Sequence, residues 1–250
     1  MYAPEWFALQ LRFAERGAAI LGLSADEAFL RCTNCYLQLG LGRSFDPTAP
    51  RWVAFLRGVA AAVEPAAWAM VTCRDSPMSA VAVAPHESFG PISYGWVPDE
   101  GRIRLHFLPD ARAAAGPLSA AHLNARHAEL RALFAAVVVR HPEARTVRGN
   151  SWLHGIAAYR RLFPPEYGAR ALPAPMAEEF RYMALWGQFL DHRGAVKAGL
   201  AARFLARIET ARTLEDLIAA FPHPVYEVEC PIGHFYDFYG VRQPGSERRS

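Results

Sequence analysis

The sequence predicts a mixed fold of the α+β class, in which a helical N-terminal segment packs on a mostly antiparallel central sheet with flanking helices. Three observations carry this prediction. Apolar residues recur at helical spacing over the first 65 residues, short Val-rich and aromatic segments follow between turn residues, and a long helical pattern occupies residues 117–140. The change of pattern predicts a helical segment over residues 1–65 and a mixed α and β domain over residues 66–250.

Composition supports a folded core and disfavours several classes of partner. Hydrophobic residues make up 52% of the 250 residues and charged residues 20%, which is far from a disordered composition. The formal net charge is only +3 and no basic cluster occurs, so we expect no nucleic-acid partner. No secretory leader is visible, and no apolar run reaches the roughly 18–20 residues that span a bilayer. We therefore expect no membrane association, a cytoplasmic location and reduced cysteines.

Helices account for the first 65 residues. Ser24 and Glu27 have the spacing of a capping box, which predicts a helix that starts there. A further helix is predicted over residues 52–63. Residues 68–74 and 78–84 are rich in Val and flanked by turn residues, so they predict a first hairpin.

A second hairpin is predicted from residues 92–96 and 102–108, joined by the turn sequence Pro-Asp-Glu-Gly. The alternation in its second strand puts Arg102, Arg104 and His106 on one face of the sheet. Apolar side chains occupy the opposite face.

A long helix, a strand and a helical turn follow the second hairpin. Gly116 and Pro117 suit the start of a helix over residues 117–140. A strand over 146–153 and a helical turn over 157–162 come next. The remaining predicted elements are a strand or short helix over 180–190, helices over 195–210 and 214–221, a strand over 225–228 and an aromatic cluster over 232–239.

No sharp catalytic or metal-binding signature occurs in the sequence. Cys32 and Cys35 form a C-x-x-C motif, but the second knuckle of a zinc site is missing, and the motif lies in a predicted helix among apolar neighbours. A buried structural pair is the favoured interpretation, and a metal or redox role is the minor alternative. No metal site is predicted, because the histidines lack metal-ligand spacing. A nucleophile elbow and glycine-rich phosphate loops are also missing.

The segment between residues 106 and 118 is the best candidate for a binding site. A helix that starts at Pro117 would offer backbone N–H groups to a phosphate, and small residues before it would let a ligand approach the backbone. An ordinary connection with small surface residues explains the same pattern. His106 ends a strand beside this loop and is a candidate general base, or else a half-buried histidine with a backbone partner. Ser151 and His154 end the next strand and are predicted to face the same cleft.

Four short motifs, in chain order, carry a resemblance to a known fold. They are His106-Phe107-Leu108-Pro109, Gly116-Pro117-Leu118, Ser151-Trp152-Leu153 and Leu162-Phe163-Pro164-Pro165. Their order resembles GNAT-type acyltransferases, and more narrowly a GNAT-like family with a helical N-terminal part. The resemblance covers residues 66–190 approximately.

The resemblance implies an acyl-CoA-dependent acyltransferase that acts on a small amine or hydroxyl acceptor. Acyl-CoA would lie between the strand that ends at His106 and the strand that ends at Ser151, with His106, Ser151 and His154 as catalytic residues. The backbone around residues 114–118 would hold the pyrophosphate. The implied cofactor-binding residues are Arg112, Ala114, Ala115, Gly116 and Leu118.

A second function class stays open. The usual GNAT pyrophosphate signature is missing, and 12% of the residues are aromatic. Both observations favour a non-catalytic binding or complex-assembly protein on a GNAT-like scaffold, with a protein partner in place of a small-molecule substrate.

Overall fold

The computed structural model describes residues 2–74, 87–108, 116–175 and 179–242. Within these residues the chain is an α+β protein with twelve α-helices and a six-stranded mixed sheet, which confirms the predicted class. The chain folds into two compact units. Unit 1 comprises residues 1–82 and 175–224, and unit 2 comprises residues 83–174 and 225–250. The single boundary predicted at residue 65 stays a prediction.

Unit 1 is helical in its described part. Its helices are α1 (Pro4–Leu21), α2 (Ala25–Cys32), α3 (Cys35–Gln38), α4 (Pro50–Ala61), α5 (Pro65–Arg74), α9 (Met183–Trp186), α10 (Ala198–Thr210) and α11 (Leu214–Ala220). The predicted capping box at the start of α2 is confirmed, with the Ser24 hydroxyl accepting from the N–H of Glu27 and the Glu27 carboxylate accepting from the N–H of Ser24. The short-helix alternative for residues 180–190 is also confirmed, by α9.

An aromatic cluster joins distant parts of the chain in the core of unit 1. Phe13 of α1 is fully buried, with ring centroids 4.9 Å from Phe180, 5.5 Å from Trp186, 5.7 Å from Phe204 and 5.2 Å from Phe221. The first helix and residues 180–221 therefore build one core.

The predicted strand over residues 68–74 is wrong, because these residues belong to α5. Pro65 occupies the first turn of this helix and two alanines follow it, all of which suit a helix start. Trp68 packs so closely on α4 that a Cβ added to Gly58 would lie 1.8 Å from its ring. Helix-to-helix packing of Trp68 thus outweighs the β propensity of Val71 and Thr72. The partner strand predicted over 78–84 lies outside the described residues.

Unit 2 contains the sheet. Its strands are β1 (Ser88–Phe89), β2 (Ile92–Val97), β3 (Arg102–Phe107), β4 (Thr146–Ser151), β5 (Leu172–Pro173) and β6 (Tyr226–Pro231), and their order in the sheet is β1-β2-β3-β4-β6-β5. The hairpin of β2 and β3 confirms the second predicted hairpin. Neighbouring strands are antiparallel except β3 and β4, which are parallel.

The helices of unit 2 are α6 (Leu123–Arg140), α7 (Ala157–Arg160), α8 (Pro165–Ala169) and α12 (Gly233–Tyr239). Phe134 of α6 stacks on Tyr239 of α12 and lies 4.8 Å from Phe235, so these two helices share the core with the apolar face of the sheet. Helix α6 connects the parallel strands β3 and β4, as a parallel pair requires.

The predicted helix start at Pro117 is wrong, since α6 begins at Leu123 after a 3-10 turn over Ala120–His122. Local side-chain bonding explains the delay. The Ser119 hydroxyl lies 3.1 Å from Nδ1 of His122, and the same nitrogen lies 3.2 Å from the Gly116 carbonyl oxygen. Such bonds compete with the helical backbone pattern and favour a turn.

Candidate functional site

The pairing ladder between the parallel strands β3 and β4 stops before their carboxyl ends. Their register comprises three pairs, Arg102↔Thr146, Ile103↔Val147 and Arg104↔Arg148. Both strands continue for three more residues, yet no ladder joins these continuations within the described chain. We call residues 105–107 of β3 and 149–151 of β4 the splayed strand ends.

The outer neighbours of the sheet hold the splayed strand ends in place. Strand β3 pairs with β2 along its whole length, as far as Phe107↔Ile92. Strand β4 pairs with β6 as far as Ser151↔Tyr226. The ladder therefore ends between two strands that are each paired on their other side, and we call this unpaired interval of the sheet the opening. Ligands of α/β proteins commonly bind at the carboxyl ends of parallel strands.

A chain of aromatic rings lies on the core side of this opening. Phe107 of β3 packs edge to face on Tyr159 of α7, with centroids 5.7 Å apart. Tyr159 packs in the same way on His154 at 5.2 Å, and His154 packs on Tyr167 of α8 at 5.4 Å. These four rings connect the splayed end of β3 with residues that follow β4.

His154 is a buried, neutral histidine. It lies in a 3-10 turn over Trp152–Gly155 and only 3% of it is exposed. Burial lowers the pKa of His154 to about 4, so its imidazole is uncharged at neutral pH. Its Nε2 atom has no hydrogen-bond partner among the described residues, and neither has the hydroxyl of Tyr167.

Gly149 explains how these two polar groups approach β4. A Cβ added at this position would lie 2.4 Å from Nε2 of His154 and 2.4 Å from the hydroxyl oxygen of Tyr167. Both groups therefore occupy the space beside the strand that any other residue would fill. The glycine in the splayed end of β4 is a packing requirement of the histidine and the tyrosine.

Ser151 caps the turn that carries His154. Its hydroxyl accepts a hydrogen bond from the N–H of Leu153 at 3.1 Å. In β4 it alternates with Asn150 and shares the core face of the sheet with Gly149. The structure thus brings Ser151 and His154 to the same side of the sheet.

His106 lies on the opposite face. It is paired in register with Ser93 and alternates with Leu105 and Phe107, as the sequence predicts. Its side chain is exposed. The three predicted catalytic residues therefore all lie at or next to the splayed strand ends, but His106 is separated from the other two by the plane of the sheet. Their catalytic roles stay predictions.

The predicted phosphate-binding loop is only partly described. Arg112, Ala114 and Ala115 lie outside the described residues. Gly116 and Leu118 precede the 3-10 turn, so the N-terminal N–H groups of α6 are not theirs. The carbonyl oxygen of Leu118 accepts from the guanidinium of Arg161 at 2.9 Å.

Tyr159 is a site residue that the sequence pattern did not single out. It is 5% exposed, and its ring contacts Phe107 at the end of β3 and His154 in the turn after β4. Burial raises the pKa of Tyr159, so its phenol is protonated at neutral pH. The sequence signal that could have indicated Tyr159 is a tyrosine in the predicted helical turn that follows a polar strand end.

The C-x-x-C motif does not form a thiol pair in the structure. Cys32 ends α2 and Cys35 begins α3, so the motif spans a break between helices and not a helix interior. The Cys32 sulfur packs on Gly17, and burial raises its pKa to about 12. The neighbouring Cys35 side chain and burial raise the pKa of Cys73 of α5, and all these thiols are buried and free.

Comparisons with known proteins identify no family for this chain. No protein-family model, curated protein or solved structure matches it. Among the described residues, no cluster of three His, Cys, Asp or Glu side chains is arranged to hold a metal ion. No described helix combines the length and apolar character needed to cross a membrane.

Proposed function

We propose that this protein is an acyl-CoA-dependent acyltransferase with a GNAT-like fold, acting on a small amine or hydroxyl acceptor. The opening between β3 and β4 is the observation that carries the proposal. The sequence resemblance puts the acyl donor between the same two strands. A cytoplasmic location and a small-molecule substrate belong to this proposal.

The splayed strand ends suit the chemistry of an extended, amide-containing chain. A strand edge without a neighbouring strand binds such chains through its backbone N–H and C=O groups. The pantetheine arm of coenzyme A contains two amides and ends in the thioester. An arm that lies between residues 105–107 and 149–151 brings this thioester into the opening itself, with the aromatic rings on its core side and His106 on its other side.

In the proposed reaction, the acceptor nitrogen or oxygen attacks the thioester carbonyl carbon and forms a tetrahedral oxyanion. Backbone N–H groups of the splayed strand ends stabilise that negative charge. The carbon–sulfur bond then breaks, the acyl group stays on the acceptor, and coenzyme A leaves as a thiol. The proton lost by the acceptor passes to a base, and the departing sulfur gains one.

The burial of each titratable group suggests its role. A base is most effective when its pKa is near the working pH, so His154, with a pKa of about 4, is a poor acceptor at neutral pH. The exposed His106 is the better candidate for the base. Tyr159 is protonated and is a candidate donor to the departing sulfur. Ser151 and His154 position the turn and the rings beneath the donor, while Arg112, Ala114, Ala115, Gly116 and Leu118 stay the proposed pyrophosphate contacts.

One observation favours the alternative of a non-catalytic binding or assembly protein. Helix α6 starts at Leu123, later than a phosphate-binding helix at Pro117 would, so its N-terminal N–H groups lie beyond Gly116 and Leu118. In this alternative the opening binds an extended segment of a protein partner.

Backbone NMR of the labelled protein tests the proposal at the opening itself. Acetyl-CoA should shift the amide signals of residues 105–107 and 149–151, and should raise the melting temperature by mass action, with about 2.7 kcal/mol at a hundredfold excess over Kd. Adenosine 3′,5′-bisphosphate, which lacks the arm, serves as the matched ligand and should leave those amides unmoved. Acetyl-CoA without effect on these signals would exclude the proposed donor site.

A variant separates binding from chemistry. His106→Ala should lower kcat far more than it weakens acetyl-CoA binding, because the base acts only on the acceptor. His192→Ala, in unit 1, is the control and should leave both unchanged. Full turnover in His106→Ala would remove this residue from the mechanism.

A further inference from the structure

A recess in unit 1 lies between α10 and α11 and has a volume of about 170 Å³. Helix α10 contributes Leu200, Arg203, Phe204 and Arg207 to it, at positions i, i+3, i+4 and i+7, so they share one helical face. Phe204 is fully buried and forms an apolar floor. The two arginines flank this floor.

The two arginines form a like-charge pair that does not stabilise α10. Arg203 and Arg207 are four residues apart on one face, where equal charges repel and destabilise a helix. Neither takes part in an ion pair with an acidic residue of the described chain. Arg207 donates to the Ala219 carbonyl oxygen at 3.3 Å, which is a helix-capping role at the end of α11. Arg203 makes no comparable hydrogen bond to a carbonyl oxygen within the part of the chain that the structure describes.

His223 and Lys197 lie at or next to the recess. His223 lines it, and its backbone is fixed by the buried Gln188, whose Oε1 accepts from the His223 N–H at 2.8 Å. Burial and the nearby charge of Lys197 lower the pKa of His223. Lys197 also donates to the Gln188 carbonyl oxygen at 3.1 Å.

The acidic residues nearest in sequence to Arg207, which are Glu209 and Glu215, do not line the recess, and two other acidic groups accept hydrogen bonds elsewhere. Asp191 accepts from the N–H groups of Arg193 and Ala195, at 2.8 and 2.9 Å. Asp216 caps the start of α11. The recess therefore combines an apolar floor with a basic rim, and none of the described acidic side chains lines it.

We propose that this recess binds a small organic carboxylate. The guanidinium groups of Arg203 and Arg207 match a carboxylate in charge and fork geometry. Phe204, Leu200 and Pro222 offer apolar surface to the hydrocarbon body, which inorganic phosphate does not have. The volume is below the roughly 300–1,000 Å³ of sites for drug-sized ligands, so the ligand is of about the size of benzoate. This site lies in unit 1 and is independent of the acyltransferase proposal.

Titration of the intact protein with benzoate tests the proposal, with NMR and calorimetry as readouts. Benzoate should bind saturably and shift the amide signals of residues 200–207 and 220–223. Arg203→Gln should weaken binding about tenfold, the loss expected for one charge-assisted hydrogen bond. Because Arg203 is exposed, this variant should fold normally, and circular dichroism verifies that.

Two controls make the result decisive. Arg57→Gln removes an exposed arginine of α4, outside the recess, and should leave benzoate binding unchanged. Inorganic phosphate should bind more weakly than benzoate. The proposal is overturned by non-saturable benzoate shifts, by equal weakening in both arginine variants, or by phosphate binding as tight as that of benzoate.

Discussion

Gly149→Ala should destabilise the protein although the glycine lies inside a strand. A new Cβ would lie 2.4 Å from Nε2 of His154, 2.9 Å from its Cε1 and 2.4 Å from the Tyr167 hydroxyl oxygen. Ordinary contacts are about 1 Å longer, so both rings must move. His154 and Tyr167 are 3% and 1% exposed and packed against other rings, which leaves them little room.

The size of the effect follows from two opposing contributions. Overpacking of a well-packed core costs about 1–3 kcal/mol. Replacing glycine by alanine within a strand gains about 0.5–1 kcal/mol through reduced backbone entropy of the unfolded chain. The net expectation is a loss of about 1–2 kcal/mol in the free energy of unfolding. Urea titration followed by fluorescence and circular dichroism measures it.

A control and a rescue make this prediction specific. Gly168→Ala in α8 adds a Cβ whose nearest neighbour, Cδ of Arg160, lies 3.9 Å away, so it should be neutral or slightly stabilising. Adding Tyr167→Phe to Gly149→Ala removes one of the two clashing groups and should restore part of the loss. Wild-type stability in Gly149→Ala alone would refute the packing argument.

Three further predictions concern buried polar groups. Tyr167→Phe alone should be neutral or stabilising in urea titrations, because it removes a buried hydroxyl that has no partner among the described residues; a loss above about 1 kcal/mol would contradict this. Cys32 and Cys73 should react with iodoacetamide only after unfolding, as peptide mass mapping can verify, because both thiols are buried and have a raised pKa; rapid labelling of the folded protein would contradict this. The pKa of His154 falls from the ordinary 6.5 to about 4 on folding, so stability is full above pH 6.5 and falls towards pH 4, by up to about 3 kcal/mol. Unfolding free energies at pH 7 and pH 4.5 check this, and His154→Gln should flatten the difference.

Local patterns predicted those elements whose own residues decide the structure. The hairpin of β2 and β3 has a strong turn sequence and a clear alternation, and the capping box at Ser24 satisfies helix N–H groups by itself. The strand prediction for residues 68–74 was wrong because Trp68 packs on Gly58 of a neighbouring helix, and no local pattern shows this contact. The predicted helix start at Pro117 was wrong because side-chain hydrogen bonds around His122 favour a turn.

The sequence predicted which strands carry the candidate site, but not which face of the sheet each site residue occupies. Polar residues at two strand ends correctly indicated that His106 and Ser151 lie on neighbouring strands. The relative register of β3 and β4 depends on packing of the connecting helix, so the opposite faces of these residues could not be read from the sequence. The burial of His154 and Tyr159 depends on rings from three different elements.

The split composition of unit 1 has a consequence for synthesis on the ribosome. Phe13 is made early, but its neighbours Phe204 and Phe221 emerge about two hundred residues later, after most of unit 2. The side of α1 that carries Phe13 therefore stays uncovered until residues from 180 onwards complete the aromatic cluster, although α2 and α5 can pack on α1 earlier. Long-range contacts of this kind slow folding, and exposed apolar surface promotes aggregation. Ribosome-bound chains that stop before residue 204 should accordingly be protease-sensitive in α1, whereas released chains should be resistant.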